Sequence, residues 1–192
     1  MKTPVKIKIE VSARHCHLSK NDTEKLFGAG YELKKLKQLS QPAEFAAEET
    51  VDIQAGLKVL KSIRVVGPQR EQTQIEISKT DAVFLGINPP LRQSGNLKGS
   101  LGVTLIGPAG KIELEEGLII AKNHIHCGTD EAKELKLKDG QTLSVKVLGE
   151  RPVIFEDALV RVKDGYKFSM HLDTDEANAA FINKIGEGEI IK

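Results

Sequence analysis

Apolar and polar residues alternate along most of this chain, the period of two that marks a strand with one buried face. Val5–Val11 (VKIKIEV) is the plainest case, with Ile7 and Ile9 falling between Lys6, Lys8 and Glu10. From Lys34 to Glu115 the pattern predicts β structure almost throughout, in short runs at Thr50–Gln54, Val59–Val66, Thr73–Ser78, Gly102–Ile106 and Gly110–Leu114. Gly56, Gly67-Pro68, Asn88-Pro89-Pro90, Gly95-Asn96 and Gly107-Pro108 separate these runs, and the Pro pair marks Ile87–Gly99 as an exposed loop. Further strands are predicted at Gly117–Ala121, Thr142–Val147, Val153–Phe155 and Leu159–Val162. Short helices are predicted after Leu18-Ser19, at Thr129–Leu135 with an N-cap residue and early acids, and from Asp173 to Ala180. Many short strands at near-regular spacing imply a barrel or sandwich.

The pattern also repeats. A strand, a His-x-His, a short helix, a glycine and further strands occur once from Val5 and again from Gly117. The chain therefore reads as two similar β lobes with short capping helices, each carrying a His pair at one end. Ligand sites are common at lobe interfaces, so a metal site shared there is the expectation.

Composition narrows the classes. At 192 residues the chain suits one large domain or two small ones, and 40% apolar residues with six Phe, two Tyr and no Trp suit a Val/Ile/Leu core. Lys plus Arg (28) nearly cancel Asp plus Glu (27), with no charged tail to suggest nucleic acid or a membrane surface. The first ten residues lack an apolar signal region and no run reaches membrane-spanning length, so a soluble cytoplasmic protein is expected. Two cysteines, Cys16 and Cys127, are too few for a disulfide framework; each touches a His-x-His, as a small buried residue or an accessory to a metal.

The candidate chemistry lies in the histidines. Four of the five stand in His15-Cys16-His17 and His124-Ile125-His126, and the fifth is His171. Residues i and i+2 of a strand share a face, so each motif aims two imidazoles at one point while Cys16 or Ile125 faces the other way. Two pairs and a lone His supply nitrogen for one or two zinc-like ions, with an oxygen ligand completing the first. Glu76, alternating with Ile75 and Ile77, is the best acid. Arg70 follows a Gly-Pro turn and could clamp an anion bidentately.

The stretches VSARHCHLS, GPQREQTQIEIS, AKNHIHC and MHLDTDEANA resemble, in order, the four signature stretches of the PduL-type phosphate propanoyltransferase (phosphotransacylase) family. That resemblance spans nearly the whole chain. It implies two β-barrel domains, the first over residues 14–121 and the second over 122–192 plus the N-terminal strand 1–13, with a dinuclear zinc site at their interface. It implies exchange between acyl-CoA plus phosphate and acyl phosphate plus CoA. One zinc would be held by His15, His17 and Glu76, with the CoA sulfur as fourth ligand, and the other by His124, His126 and His171. Arg70 falls at the phosphate-binding, catalytic arginine, and Ser12, Lys37, Arg64, Val66 and Asn178 fall at or near positions lining the CoA groove. A homodimer is also implied.

Two departures stand out: Asn123 and Cys127 replace the Arg and Met that usually flank the second motif, which removes a positive charge and no ligand. Microcompartment-associated members carry an N-terminal encapsulation extension, whereas this chain opens at the barrel strand, so free cytosolic action is expected. Metal-bound imidazoles must be neutral, so metal loss is expected below about pH 6. The rival readings are a zinc-dependent hydrolase of a thioester or phosphoester, using metal-bound water, and a non-enzymatic metal-binding module.

Overall fold

The computed structural model describes residues 4–191; the expected extension of the N-terminal strand to residues 1–3, and of the second domain to residue 192, lies outside them. In chain order the elements are β1 (Val5–Val11), β2 (His15–His17), α1 (Lys20–Phe27), β3 (Lys35–Gln38), β4 (Phe45–Ala55), β5 (Lys58–Gly67) and β6 (Gln74–Glu76). There follow α2 (Lys79–Leu85), β7 (Leu91–Arg92), β8 (Thr104–Ile106), β9 (Lys111–Glu113), β10 (Leu118–Ala121) and β11 (His124–Cys127). The chain ends with α3 (Thr129–Leu135), β12 (Thr142–Leu148), β13 (Ile154–Val162), β14 (Ser169–Leu172), α4 (Thr174–Ala179) and β15 (Ile185–Ile191). The protein is mainly β, and no helix among the described residues is long and apolar enough to cross a membrane.

Two compact units result, one of residues 14–121 and one joining residues 4–13 to 122–191. The second unit is a closed six-stranded barrel in the order β1-β14-β11-β13-β12-β15. β1 lies parallel to β14 and antiparallel to β15, so the first strand of the chain closes a barrel made otherwise from its last seventy-odd residues. Its alternation has the expected effect: Ile7 and Ile9 are buried with Ile125, Val145, Val160 and Met170, while Lys6 and Lys8 are exposed. The first unit is a nine-stranded sheet curled into a half-barrel, ordered β7-β10-β6-β2-β5-β4-β8-β9 with β3 on β4. Its core gathers Leu18, Leu26, Ile53, Ile63, Val65, Ile75, Leu105 and Leu118. Full burial of each such side chain contributes roughly 1.5–3 kcal/mol.

Several local features differ from the sequence expectation. The helix α2 interrupts the stretch read as almost wholly β. Ser78 caps it, its hydroxyl accepting from the Asp81 N–H while the Asp81 carboxylate accepts from the Ser78 N–H. The Asp81 carboxylate also pairs with Arg14, which ties the helix to the strand entering the first His-x-His. The N-cap of α3 is Gly128 rather than Thr129, and no side chain caps it. A Cβ at residue 128 would collide with the Glu131 carboxylate and come within 2.9 Å of the Tyr166 carbonyl. Ile154-Phe155 and Leu159–Val162, from two runs read separately, belong to one strand, β13, within which Asp157 takes φ 56°. The loop Ile87–Gly99 contains the two-residue strand β7, paired to β10.

Candidate metal centres

In the first unit β2 lies between β5 and β6. The antiparallel register sets His15 opposite Glu76, Cys16 opposite Ile75 and His17 opposite Gln74. Cys16 and Ile75 are fully buried in the core, so strand alternation turns His15, His17 and Glu76 to the opposite face. One ligand atom from each of these three lies within 4.8 Å of the others. His15 Nε2 stands 3.7 Å from Glu76 Oε2, and the two imidazoles meet edge to face at 5.0 Å. Glu76 is 9% exposed and not the solvent-facing acid its alternation alone would suggest. Gln74 donates to Glu76 Oε1, and Gln74 is itself held by Ser94 Oγ at 2.8 Å and by the Gly95 N–H at 2.8 Å. His17 Nδ1 lies 3.0 Å from the Val66 carbonyl. Burial, then the neighbouring His15 and Arg70 charges, hold the His17 imidazole well below its usual pKa, against the opposing pull of that carbonyl.

The barrel builds the second cluster the same way. β11 runs antiparallel to β14, pairing His124 with His171 and Ile125 with Met170. Ile125 and Met170 are fully buried in the barrel core, which puts His124, His126 and His171 on the outer face. Ligand atoms of these three also lie within 4.8 Å of one another, and their rings approach to 4.5–5.3 Å. Tyr166 stacks on His126 at 4.3 Å. Burial first, then His124, His171 and Arg161, push the His126 pKa down to about 2. The imidazole is thus neutral, and His126 Nδ1 is buried without a hydrogen-bond partner among the described residues. A buried, neutral, unsatisfied ring nitrogen is costly unless something binds it.

The donor sets fit zinc. Three imidazoles in one cluster, and two with a carboxylate in the other, are the nitrogen and oxygen ligands that ion takes. The cysteines fit less well, because Cys16 points into the core and burial pushes its thiol up to about 12. Cys127 is also buried in its core, with its thiol raised by burial and then by Glu131.

Arg70 lies in the first unit, where its backbone N–H bonds the Leu18 carbonyl at 2.9 Å and it bridges to Ser19. Its guanidinium pairs with Glu44, Nη2 to Oε1 at 3.0 Å. Among the residues expected to line a CoA groove, Lys37 is exposed on β3 and Arg64 lies on β5 beside His15. The Arg64 guanidinium is occupied by the carbonyls of Ala47 (3.0 Å) and Glu48 (2.8 Å). Val66 is buried, and its carbonyl reaches His17. Ser12 and Asn178 belong to the other unit, Ser12 bonded through its N–H to the Leu172 carbonyl at 2.8 Å and Asn178 exposed on α4.

The sequence reading passed over three residues beside these clusters. Glu10 is paired in register with His171, and Glu10 Oε2 stands 3.3 Å from His171 Nε2. Its parity opposite Ile9 was the available signal. Glu44 offered none, since it reaches Arg70 from a distant turn. Glu176, the second acid of the α4 capping box, accepts from Asn123 Nδ2 at 2.7 Å, and burial raises its pKa. The Asn123 departure therefore sets an amide, rather than a guanidinium, against that carboxylate.

A mainly β chain with an imidazole-rich cluster on each of two sheets is the class that fold and site define. A family model described as phosphate propanoyltransferase matches residues 8–183. Relatives bearing that name include a protein of Priestia megaterium, 52% identical over 177 residues (92% of this chain, 82% of that protein). Others are from Clostridioides difficile, 45% identical over 186 residues (97% and 89%), and Thermotoga maritima, 48% identical over 176 residues (91% and 84%). This chain belongs to the phosphate propanoyltransferase family, a family of acyltransferases.

Proposed function

We propose that this chain interconverts a short-chain acyl-CoA (propanoyl-CoA or acetyl-CoA) and phosphate with the acyl phosphate and free CoA. The reading includes two zinc ions acting as a dinuclear centre, one held by His15, His17 and Glu76 and the other by His124, His126 and His171. The observation that carries it is the convergence of six donors, from four separate stretches of chain, into two compact groups within a chain of this family. Zinc bound there would supply Lewis-acid charge that lowers the pKa of a coordinated thiol.

The chain's own residues do the rest. Arg70 binds the phosphate and fixes its approach to the thioester carbonyl, a planar guanidinium being suited to a tetrahedral oxyanion. A phosphate oxygen forms the new C–O bond, the C–S bond breaks, and its electron pair leaves with the CoA sulfur. His17 and His126 stay neutral and so remain able to donate a lone pair rather than repel a cation. Ser12, Lys37, Arg64, Val66 and Asn178 are the proposed CoA contacts.

The test is CoA-thiol release from acetyl-CoA and propanoyl-CoA, with and without phosphate, on wild type and Arg70→Ala. Release is expected to depend on phosphate and to fall by about 100-fold or more in the variant. Release that ignores phosphate would make the protein a hydrolase instead.

A further inference from the structure

We propose that Glu44 competes with phosphate for the anion-binding face of Arg70 and so sets the phosphate affinity of this enzyme, an inference that rests on the phosphate-binding role of Arg70 above. The Arg70–Glu44 pair, at 3.0 Å, joins two side chains that are each about two-thirds covered, 33% and 31% exposed. Neither end is a loose surface residue. The Glu44 N–H bonds the Gln41 carbonyl at 3.0 Å, and its own carbonyl accepts from the Leu39 N–H at 3.2 Å and Gln38 Nε2 at 2.7 Å. Arg70 is pinned to Leu18 and Ser19, the two residues that follow the first His-x-His. The Arg70 charge also reaches His17, which places the pair beside the first cluster.

A carboxylate and a phosphate ask the same thing of a guanidinium, namely oxygen acceptors facing its N–H fork. A phosphate dianion arriving at Arg70 must either displace Glu44, losing a charge-assisted hydrogen bond, or bind against its negative charge. Both weaken binding, and both act on any ligand that presents a phosphoryl group to Arg70, including the acyl phosphate of the reverse reaction. Glu44→Gln keeps the length and one acceptor for Arg70 while removing the charge. Glu44→Asp keeps the charge.

A unit charge roughly 6 Å from a dianion in a largely aqueous setting corresponds to roughly a 3- to 10-fold change in affinity. In Glu44→Gln, KM for phosphate and for acyl phosphate is expected to fall by about that factor. The kcat and the acyl-CoA KM are expected to stay within about 2-fold of wild type, and the gap should narrow at about 0.5 M KCl, where surface charges are screened. Glu44→Asp is expected to keep the wild-type phosphate KM. A phosphate KM that is unchanged or raised in Glu44→Gln, while Arg70→Ala raises it, would overturn the proposal and leave Glu44 a purely structural partner. A phosphate KM unmoved by Arg70→Ala would instead remove the phosphate-binding role of Arg70 itself.

Discussion

Acid should unfold the zinc-free protein through two particular imidazoles. His17 and His126 are buried and neutral in the folded chain, His126 with its pKa near 2, whereas an unfolded imidazole titrates near 6.5. A group whose folded pKa is depressed in this way costs nothing above pH 6.5. Below it the unfolded chain takes up a proton that the native chain refuses, and stability falls until the folded pKa is reached. Each such proton is worth about 1.4 kcal/mol per pH unit, so at pH 5 His126 removes roughly 2 kcal/mol, and His17, depressed in the same direction, adds a loss of the same sign. His17 lies in one unit and His126 in the other, so each unit bears one such loss, against total stabilities of about 5–15 kcal/mol for typical domains. Glu176, its pKa raised by burial, acts in the opposite sense, but only as pH approaches the carboxylate range. The assay is urea unfolding of chelator-treated protein at pH 7 and pH 5, on wild type, His17→Gln and His126→Gln. Each substitution is expected to remove part of the pH dependence, and the pair together most of it. Equal unfolding midpoints at the two pH values, or a dependence that survives both substitutions, would refute the reasoning. On this account acid acts on the zinc-free protein by favouring the unfolded chain rather than by protonating the folded His126.

Other expectations follow from single contacts. Glu10→Gln removes the carboxylate beside His171 and should weaken metal retention by about 10-fold in a chelator competition, while an unchanged retention would show that Glu10 plays no part. Ser78→Ala strips α2 of its hydroxyl cap and should cost about 1 kcal/mol in a denaturant titration. Gly102→Ala would drive a methyl into the backbone carbonyls of Leu114 and Glu115, and should lower stability by about 3 kcal/mol; a neutral result would mean that this stretch shifts freely.

The β character of the chain was legible because a half-buried strand writes its alternation into the sequence, as Lys6-Ile7-Lys8-Ile9 does. The same rule predicted that Cys16 and Ile125 would turn inward and leave their flanking histidines together. What stayed hidden had physical reasons. α2 is only seven residues long and presents no full apolar stripe; its one signal was Ser78 three residues before Asp81. β15 was not predicted, since Gly186 and Gly188 break up the apolar positions of its sequence. They sit where the small barrel has no room, since a Cβ at 188 would lie 2.9 Å from Val145 and 3.0 Å from Ile9, and one at 186 would lie 2.8 Å from Ile182. Glu10 and Glu44 look like ordinary charged positions, because a contact formed by strand register or by a distant turn leaves no local pattern.

The most direct test of the account is the zinc content of the purified protein, counted per chain in wild type and in two paired variants. The account expects two equivalents in wild type and one in His15→Ala/His17→Ala. It expects one also in His124→Ala/His126→Ala, with phosphate-dependent CoA release lost in both. Zinc absent from a folded wild-type sample that still turns over, or a content unmoved by either pair of substitutions, would contradict it.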